Sequence, residues 1–267
     1  MTSSSPQVFA HRGSSAALPE HTLAAYLRAL EEGADGLECD VRLTRDGHLV
    51  CVHDRRLERT SNGHGRVSAR TLAELDTLDF GSWHPGLAAG GSATDEPPDP
   101  DRFRLLTLDR LLGAVREAGR EVRLLIETKH PSRYGSSMER RLVDLLRRHD
   151  VATPRPGDPV RVTVMSFSPL ALRRVHALAP AVPTVLLLEV LPPGVRPRRL
   201  PFGTRIAGPS IALLRSRPAL VPALRAAGNE VYVWTVNDPD DISLALRQGV
   251  DGIITDRPRD VLDHLGR

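Results

Sequence analysis

A chain of 267 residues, 40% hydrophobic and 26% charged, has the profile of a globular protein with a sizeable core, which excludes a disordered or fibrous chain. The formal charge of +3 does not mark a nucleic-acid partner, because the arginines are scattered or paired with carboxylates and aromatics reach only 4%. Nothing approaches the ~18 consecutive apolar residues of a membrane span, and the polar leader 1–7 has no apolar run behind it; no stable membrane insertion and a cytoplasmic location are expected.

Strand-like runs fall at 8–10, 36–43, 122–127, 161–165, 184–188, 205–207, 231–235 and 252–254. Amphipathic helical patterns fall at 20–32, 108–118, 138–148, 169–178, 218–227, 239–247 and 258–265. Pro169, Pro218, Pro239 and Pro258 stand at helix starts, where a missing N–H costs nothing. Repeated β-α units of this number predict a single α/β domain, a (β/α)8 TIM barrel; a doubly wound open sheet is the alternative. After 184–188 the pattern is weakest, since 191–203 is rich in Pro and Arg and reads as a loop.

The alternation breaks after the second strand. Asp46-Gly47 signals a two-residue hairpin turn into a further strand at 48–52. Residues 54–105 then read as a small inserted subdomain, with a helical pattern at 71–78, Trp83 to bury, and a mobile Gly/Pro-rich loop at 85–100. An insertion at this point overhangs the barrel mouth, where βα loops build active sites. Cys39 and Cys51 lie in strand-like segments without metal-site spacing and read as reduced and structural.

Within 36–43, period-two alternation puts Glu38 and Asp40 on one face. Two carboxylates aimed together into a barrel need a counter-charge, and a hard divalent cation held by oxygen supplies it; a solvated or Arg-paired strand face is the alternative for this segment alone. Leu124-Leu-Ile-Glu-Thr-Lys129 brings a third carboxylate, Glu127, with Lys129 on the same face and suited to a phosphate. His11 and His53 each follow a strand directly, where imidazoles suit proton transfer near neutrality. His48, His64, His84, His130, His149, His176 and His264 fall in loops or on polar helix faces and receive no role. In Val231-Tyr-Val-Trp-Thr-Val-Asn237, an inward Trp234 would form an apolar pocket wall, although core packing explains it equally well.

The ordered set His11-Arg-Gly13, Pro19-Glu-His-Thr22, Glu38-Cys-Asp40, His53-Asp54, Glu127-Thr-Lys129, Ser166-Phe167, Trp234-Thr-Val-Asn237 and Gly249-Val-Asp-Gly-Ile-Ile-Thr-Asp256 resembles the glycerophosphodiester phosphodiesterase family through nearly the whole chain. The resemblance implies a barrel with a small inserted subdomain. It implies Glu38, Asp40 and Glu127 as ligands of Ca2+ or Mg2+, His11 and His53 as the acid–base pair, and Arg12 and Lys129 on the phosphate oxygens of a small glycerophosphodiester. The products would be sn-glycerol 3-phosphate and an alcohol, with either water or a glycerol hydroxyl attacking. One position departs: the family's usual Pro-Glu-Asn-Thr has His21 for Asn here. Two other readings are a lysophospholipase D or sphingomyelinase D-like lipid phosphodiesterase, and a barrel that binds metal or phosphodiester without turnover.

Overall fold

The structure, a computed structural model, describes residues 5–85, 103–191 and 199–267. The predicted loop at 85–100 lies outside the described residues from 86 onward, as does 192–198 of the loop predicted at 191–203. The strands are β1 (Gln7–His11), β2 (Gly36–Leu43), β3 (Leu49–Cys51), β4 (Val122–Thr128), β5 (Val160–Ser166), β6 (Thr184–Leu188), β7 (Ile206–Pro209), β8 (Glu230–Val233) and β9 (Gly252–Thr255). The helices are α1 (Leu23–Glu31), α2 (Leu72–Leu75), α3 (Leu108–Arg116), α4 (Ser137–Arg148), α5 (Pro169–Leu178), α6 (Ile211–Ser216), α7 (Leu220–Ala226), α8 (Pro239–Gln248) and α9 (Pro258–His264).

All strands but β3 run parallel in sequence order, and β1 pairs with both β2 and β9, so the sheet closes on itself. This is the (β/α)8 barrel expected from the alternation, and closure excludes the open sheet. Strand β3 is antiparallel to β2, with Arg42 opposite Val50. The hairpin is present, but its turn is longer than two residues: the Thr44 N–H donates to the His48 carbonyl, while the Asp46 side chain accepts from the Leu72 N–H at the start of α2.

Apolar residues pack in two shells. Outside, helix faces cover the strands through residues such as Tyr26, Leu111, Leu142, Leu172, Leu224 and Ile242. Inside, Phe9, Leu125, Met165, Val185, Leu187, Ile206, Tyr232 and Ile254 fill the barrel. Phe9 and Tyr232 stack with ring centroids 5.2 Å apart. They fit because Gly36 faces them: a Cβ there would stand 2.7 Å from Phe9 Cδ1 and 2.5 Å from the Arg123 carbonyl oxygen. Since alternate residues of a strand share a face, Gly36 in the plug places Glu38 and Asp40 inward above it, toward the C-terminal mouth.

The structure corrects several local expectations. Helix α1 begins at Leu23 rather than 20, because His21 has a left-handed backbone, φ 63°, and Thr22 caps the helix by accepting from the Ala25 N–H. Helix α6, only six residues long and capped by Ser210, is too short for the periodicity to reveal. Strand β8 stops at Val233, two residues early. Beside β3, Val50, Val52, Leu57, Val67, Leu75, Phe80 and Leu105 form a separate apolar cluster. Phe80 is its buried aromatic, whereas Trp83 is half-buried outside the cluster and donates its indole N–H to the Phe80 carbonyl. His84, read as a loop or polar-face residue, is buried. Among the described residues no helix is long and apolar enough to cross a membrane.

Candidate active site

Parallel register builds the centre. His11 stands abreast of Glu38 across β1 and β2, and Asp40 stands abreast of Glu127 across β2 and β4. One carboxylate oxygen from each of Glu38, Asp40 and Glu127 lies within 4.8 Å of the others, and all three residues are buried. Lys129, one residue beyond β4, sets Nζ 2.8 Å from Glu127 Oε1 and 3.2 Å from Asp40 Oδ1. Arg12, at φ 60°, directs Nη1 to Glu20 Oε1 at 3.0 Å. Its Nε is 3.0 Å from Asp40 Oδ2 but poorly aligned, and it makes no hydrogen bond despite being buried.

The electrostatics separate the acids. Burial, reinforced by Asp40, pushes Glu38 well above the usual carboxylate range and Glu127 up to about 8. Burial also acts on Asp40, but Arg12, His21 and Lys129 outweigh it and hold that acid well below its ordinary value. Two cations therefore serve three buried acids, and Glu38 and Glu127 ionise near neutrality only if further positive charge enters. A divalent cation meeting three convergent oxygen donors fits that requirement.

Both imidazoles are oriented from behind. His11 Nδ1 lies 2.7 Å from Asp256 Oδ1, which leaves Nε2 on the pocket side, 4.0 Å from Glu38 Oε2. Asn237 donates to the other Asp256 oxygen at 2.6 Å, and Ser15 donates to Oδ1 at 2.9 Å. These donors outweigh burial and lower Asp256 to about 2. His53 Nδ1 lies 2.6 Å from Asp54 Oδ1. Burial lowers His53 to about 4, with Asp40 opposing. Arg59 clamps Asp54 (Nε to Oδ2, 2.7 Å) and Glu20 (Nη1 to Oε2, 2.7 Å), so a continuous ionic chain joins the His11-Arg12 corner to His53.

His21 Nε2 reaches Asp40 Oδ2 at 3.0 Å, and its Nδ1 lies 2.8 Å from the Tyr26 hydroxyl, which donates to the Glu38 carbonyl at 3.2 Å. Asp256, Asn237, Ser15, Glu20 and Arg59 carried no role in the sequence reading. Only Asp54 stood where its neighbour His53 could signal it; His11 and Asp256 lie 245 positions apart.

His11, Arg12, Glu38, His53, Glu127 and Lys129 share one cavity of about 360 Å³, closed on the other side by Phe167, Leu187 and Trp234. Trp234 faces inward, packs edge-on against Phe167 at 5.4 Å, and donates its indole N–H to the Gly208 carbonyl. A groove of about 460 Å³ between the β2–β3 turn and α4, lined by Asp46, His48, Asp109 and Arg141, assembles no comparable set.

The family model described as the glycerophosphoryl diester phosphodiesterase family matches residues 11–260. A relative from Mycobacterium tuberculosis, named probable glycerophosphodiester phosphodiesterase 1, is 49% identical over 95% of this chain and 90% of its own. A glycerophosphodiester phosphodiesterase of Bacillus subtilis is 34% identical over 93% and 83%. Among solved structures, an Oleispira antarctica phosphodiesterase in complex with the product sn-glycerol-3-phosphate superposes with a TM-score of 0.80, at 28% identity and covering 98% and 97% of the two chains. The chain belongs to the glycerophosphoryl diester phosphodiesterase family.

Proposed function

We propose that this chain hydrolyses small glycerophosphodiesters to sn-glycerol 3-phosphate and an alcohol, with a divalent cation held by Glu38, Asp40 and Glu127. The observation that carries this reading is the convergence of those three acids beside one cavity, which Glu38 and Glu127 line together with two Asp-backed imidazoles. When bound, the cation, Ca2+ or Mg2+, neutralises phosphate charge and keeps Glu38 and Glu127 ionised. Arg12 and Lys129 hold phosphate oxygens, and Trp234 with Phe167 forms the apolar wall against the substrate carbons. His53, neutral because burial lowers it, accepts the proton of the attacking oxygen, whether that oxygen belongs to water or to a glycerol hydroxyl. His11, with Nδ1 fixed on Asp256, presents Nε2 to protonate the departing alcohol. Residues 54–105 are read as an inserted subdomain of the one barrel domain, entered directly after His53.

The test is release of choline from glycerophosphocholine, with sn-glycerol 3-phosphate as the co-product, compared with release of choline from lysophosphatidylcholine at equal concentration. We expect the water-soluble diester to be the better substrate. Phe167, Leu170 and Val190 are exposed at 41%, 50% and 79%, just beyond β5 and β6, and they favour the lipid as the second reading. A strong preference for lysophosphatidylcholine would establish it.

His21 is proposed as a positioning residue for Asp40. Its removal in His21→Ala strands buried partners on both sides and opens a cavity, so a loss of about 2–4 kcal/mol in urea unfolding is expected. His21→Asn keeps a donor at a left-handed position that Asn tolerates well, and should recover part of both stability and cation affinity measured by calorimetry. Equal affinity in His21→Ala and the parent would remove the assignment.

A further inference from the structure

Beside the catalytic cavity, and meeting it at Lys129, runs a shallow cleft lined by Arg42, Arg55, Arg66 and Arg133. We propose that this cleft is a subsite for a second anionic group, so that the preferred diesters carry a phosphate on the alcohol that leaves. The inference rests on the reaction proposed above and names its substrate class.

Three separate segments supply the cations. Arg42 comes from β2, Arg55 and Arg66 from the two arms of the loop bridged at Arg56 and Arg66, and Arg133 from the loop after Lys129. No carboxylate lines the cleft; its other polar side chains are Ser68 and Ser132. Arginines near the cavity and on the outer helices pair with carboxylates in several places, as in Arg12 with Glu20, Arg59 with Asp54, Arg215 with Asp241 and Arg225 with Asp251. Among the described residues, none of Arg42, Arg55, Arg66 and Arg133 forms an ion pair. Burial aside, Arg42 feels Asp40 first, then the repulsion of Arg55, with Asp54 and Glu127 opposing it; an anion in the cleft relieves the repulsion among the arginines.

The walls are held in place. Arg42 donates from Nε and Nη2 to the His53 carbonyl at 2.9 and 2.6 Å, which fixes its guanidinium against the main chain at His53. The Tyr134 hydroxyl donates to the Ser68 carbonyl at 2.6 Å and ties the Arg133 loop to the Arg66 arm. Arg42 lies on the same face of β2 as Glu38 and Asp40, two residues beyond Asp40, and the cleft it lines shares Lys129 with the cavity. Guanidinium forks match phosphate oxygens two at a time, whereas the ammonium of choline or ethanolamine is repelled there.

The experiment compares KM for glycerophosphoinositol 4-phosphate and for glycerophosphocholine in the parent and in the Arg66→Glu/Arg133→Glu double variant. The parent should show a KM about tenfold lower for the phosphorylated diester, and charge reversal should erase that ratio. Equal KM values in the parent, or a ratio untouched by the double variant, would overturn the subsite. Calorimetry with inositol 4-phosphate alone separates the subsite from the reaction: binding by the parent and loss in the double variant support it even if neither diester is cleaved. Failure of the parent to bind inositol 4-phosphate, or inorganic phosphate binding equally well, overturns it.

Discussion

His11→Ala and His53→Ala are each expected to lower kcat on glycerophosphocholine by about 10²–10⁴-fold with a far smaller change in KM, because proton transfer is needed only as the bonds reorganise. Neither ring supports the core: His11 and His53 are partly exposed at the mouth, so both variants should melt near the parent temperature. The double variant should fall little below the weaker single one, since the two imidazoles act in one reaction. Asp256→Asn should also lose much of kcat, as an amide no longer fixes the Nδ1–H form of His11. A His53 depressed to about 4 gives up its proton earlier on an ascending pH scale than an ordinary imidazole. Its basic form is then complete by pH 5–6, and the acid limb of kcat/KM should lie near pH 4 and vanish in His53→Ala. Stopped assays across pH 3.5–9 measure all of this; His53→Ala and His11→Ala enzymes that keep kcat within a factor of about three would refute the proposed roles.

Stripping divalent ions with a chelator should abolish turnover and give the barrel a stability that declines as pH rises. Glu127 is raised to about 8, and Glu38 is raised in the same direction, by burial first and Asp40 second. The folded chain thus retains protons that the unfolded chain releases near 4.5. The stabilisation is complete below the unfolded value and is lost as pH climbs through the folded one, a difference on the order of a few kcal/mol between pH 4.5 and 8. Asp40 is shifted down, so its contribution is already complete above the unfolded 3.8 and adds no slope in this window. Differential scanning of the metal-free protein should show a higher melting temperature at pH 5 than at pH 8. Saturating Ca2+ or Mg2+ should raise the melting temperature most at pH 8. Glu38→Gln should flatten part of the slope and remove activity while leaving a folded barrel. A metal-free protein whose melting temperature climbs from pH 5 to pH 8 would contradict the proposed cation site.

Local periodicity carries what one strand decides alone. That Glu38 and Asp40 share a face, and Glu127 and Lys129 another, follows from period-two alternation. That Asp40 lies level with Glu127 does not, because parallel register is set by long crossover connections and by the close approach of the Arg123 carbonyl to Gly36. The fold class was readable from the alternation of elements, and the barrel's closure depends on the β1–β2 and β1–β9 pairings. The left-handed turn at His21 defeated the expected start of α1, since Pro-Glu-His has no periodic signature for positive φ. Trp83 was the obvious candidate to anchor the 54–105 segment by size, yet Phe80 sits in the apolar cluster and Trp83 stays at its margin, bonded to the Phe80 carbonyl.

Asp256 follows the last strand and holds the imidazole that ends the first. The carboxylate behind His11 therefore arrives only when β9 zips onto β1, whereas Asp54, adjacent to its own histidine, is in place from the start. Under the proposed roles, the acids come from β2 and β4 while the orientation of the proton donor waits on β9. With the roles proposed for His11 and Asp256, turnover would report that the seam of the barrel has closed.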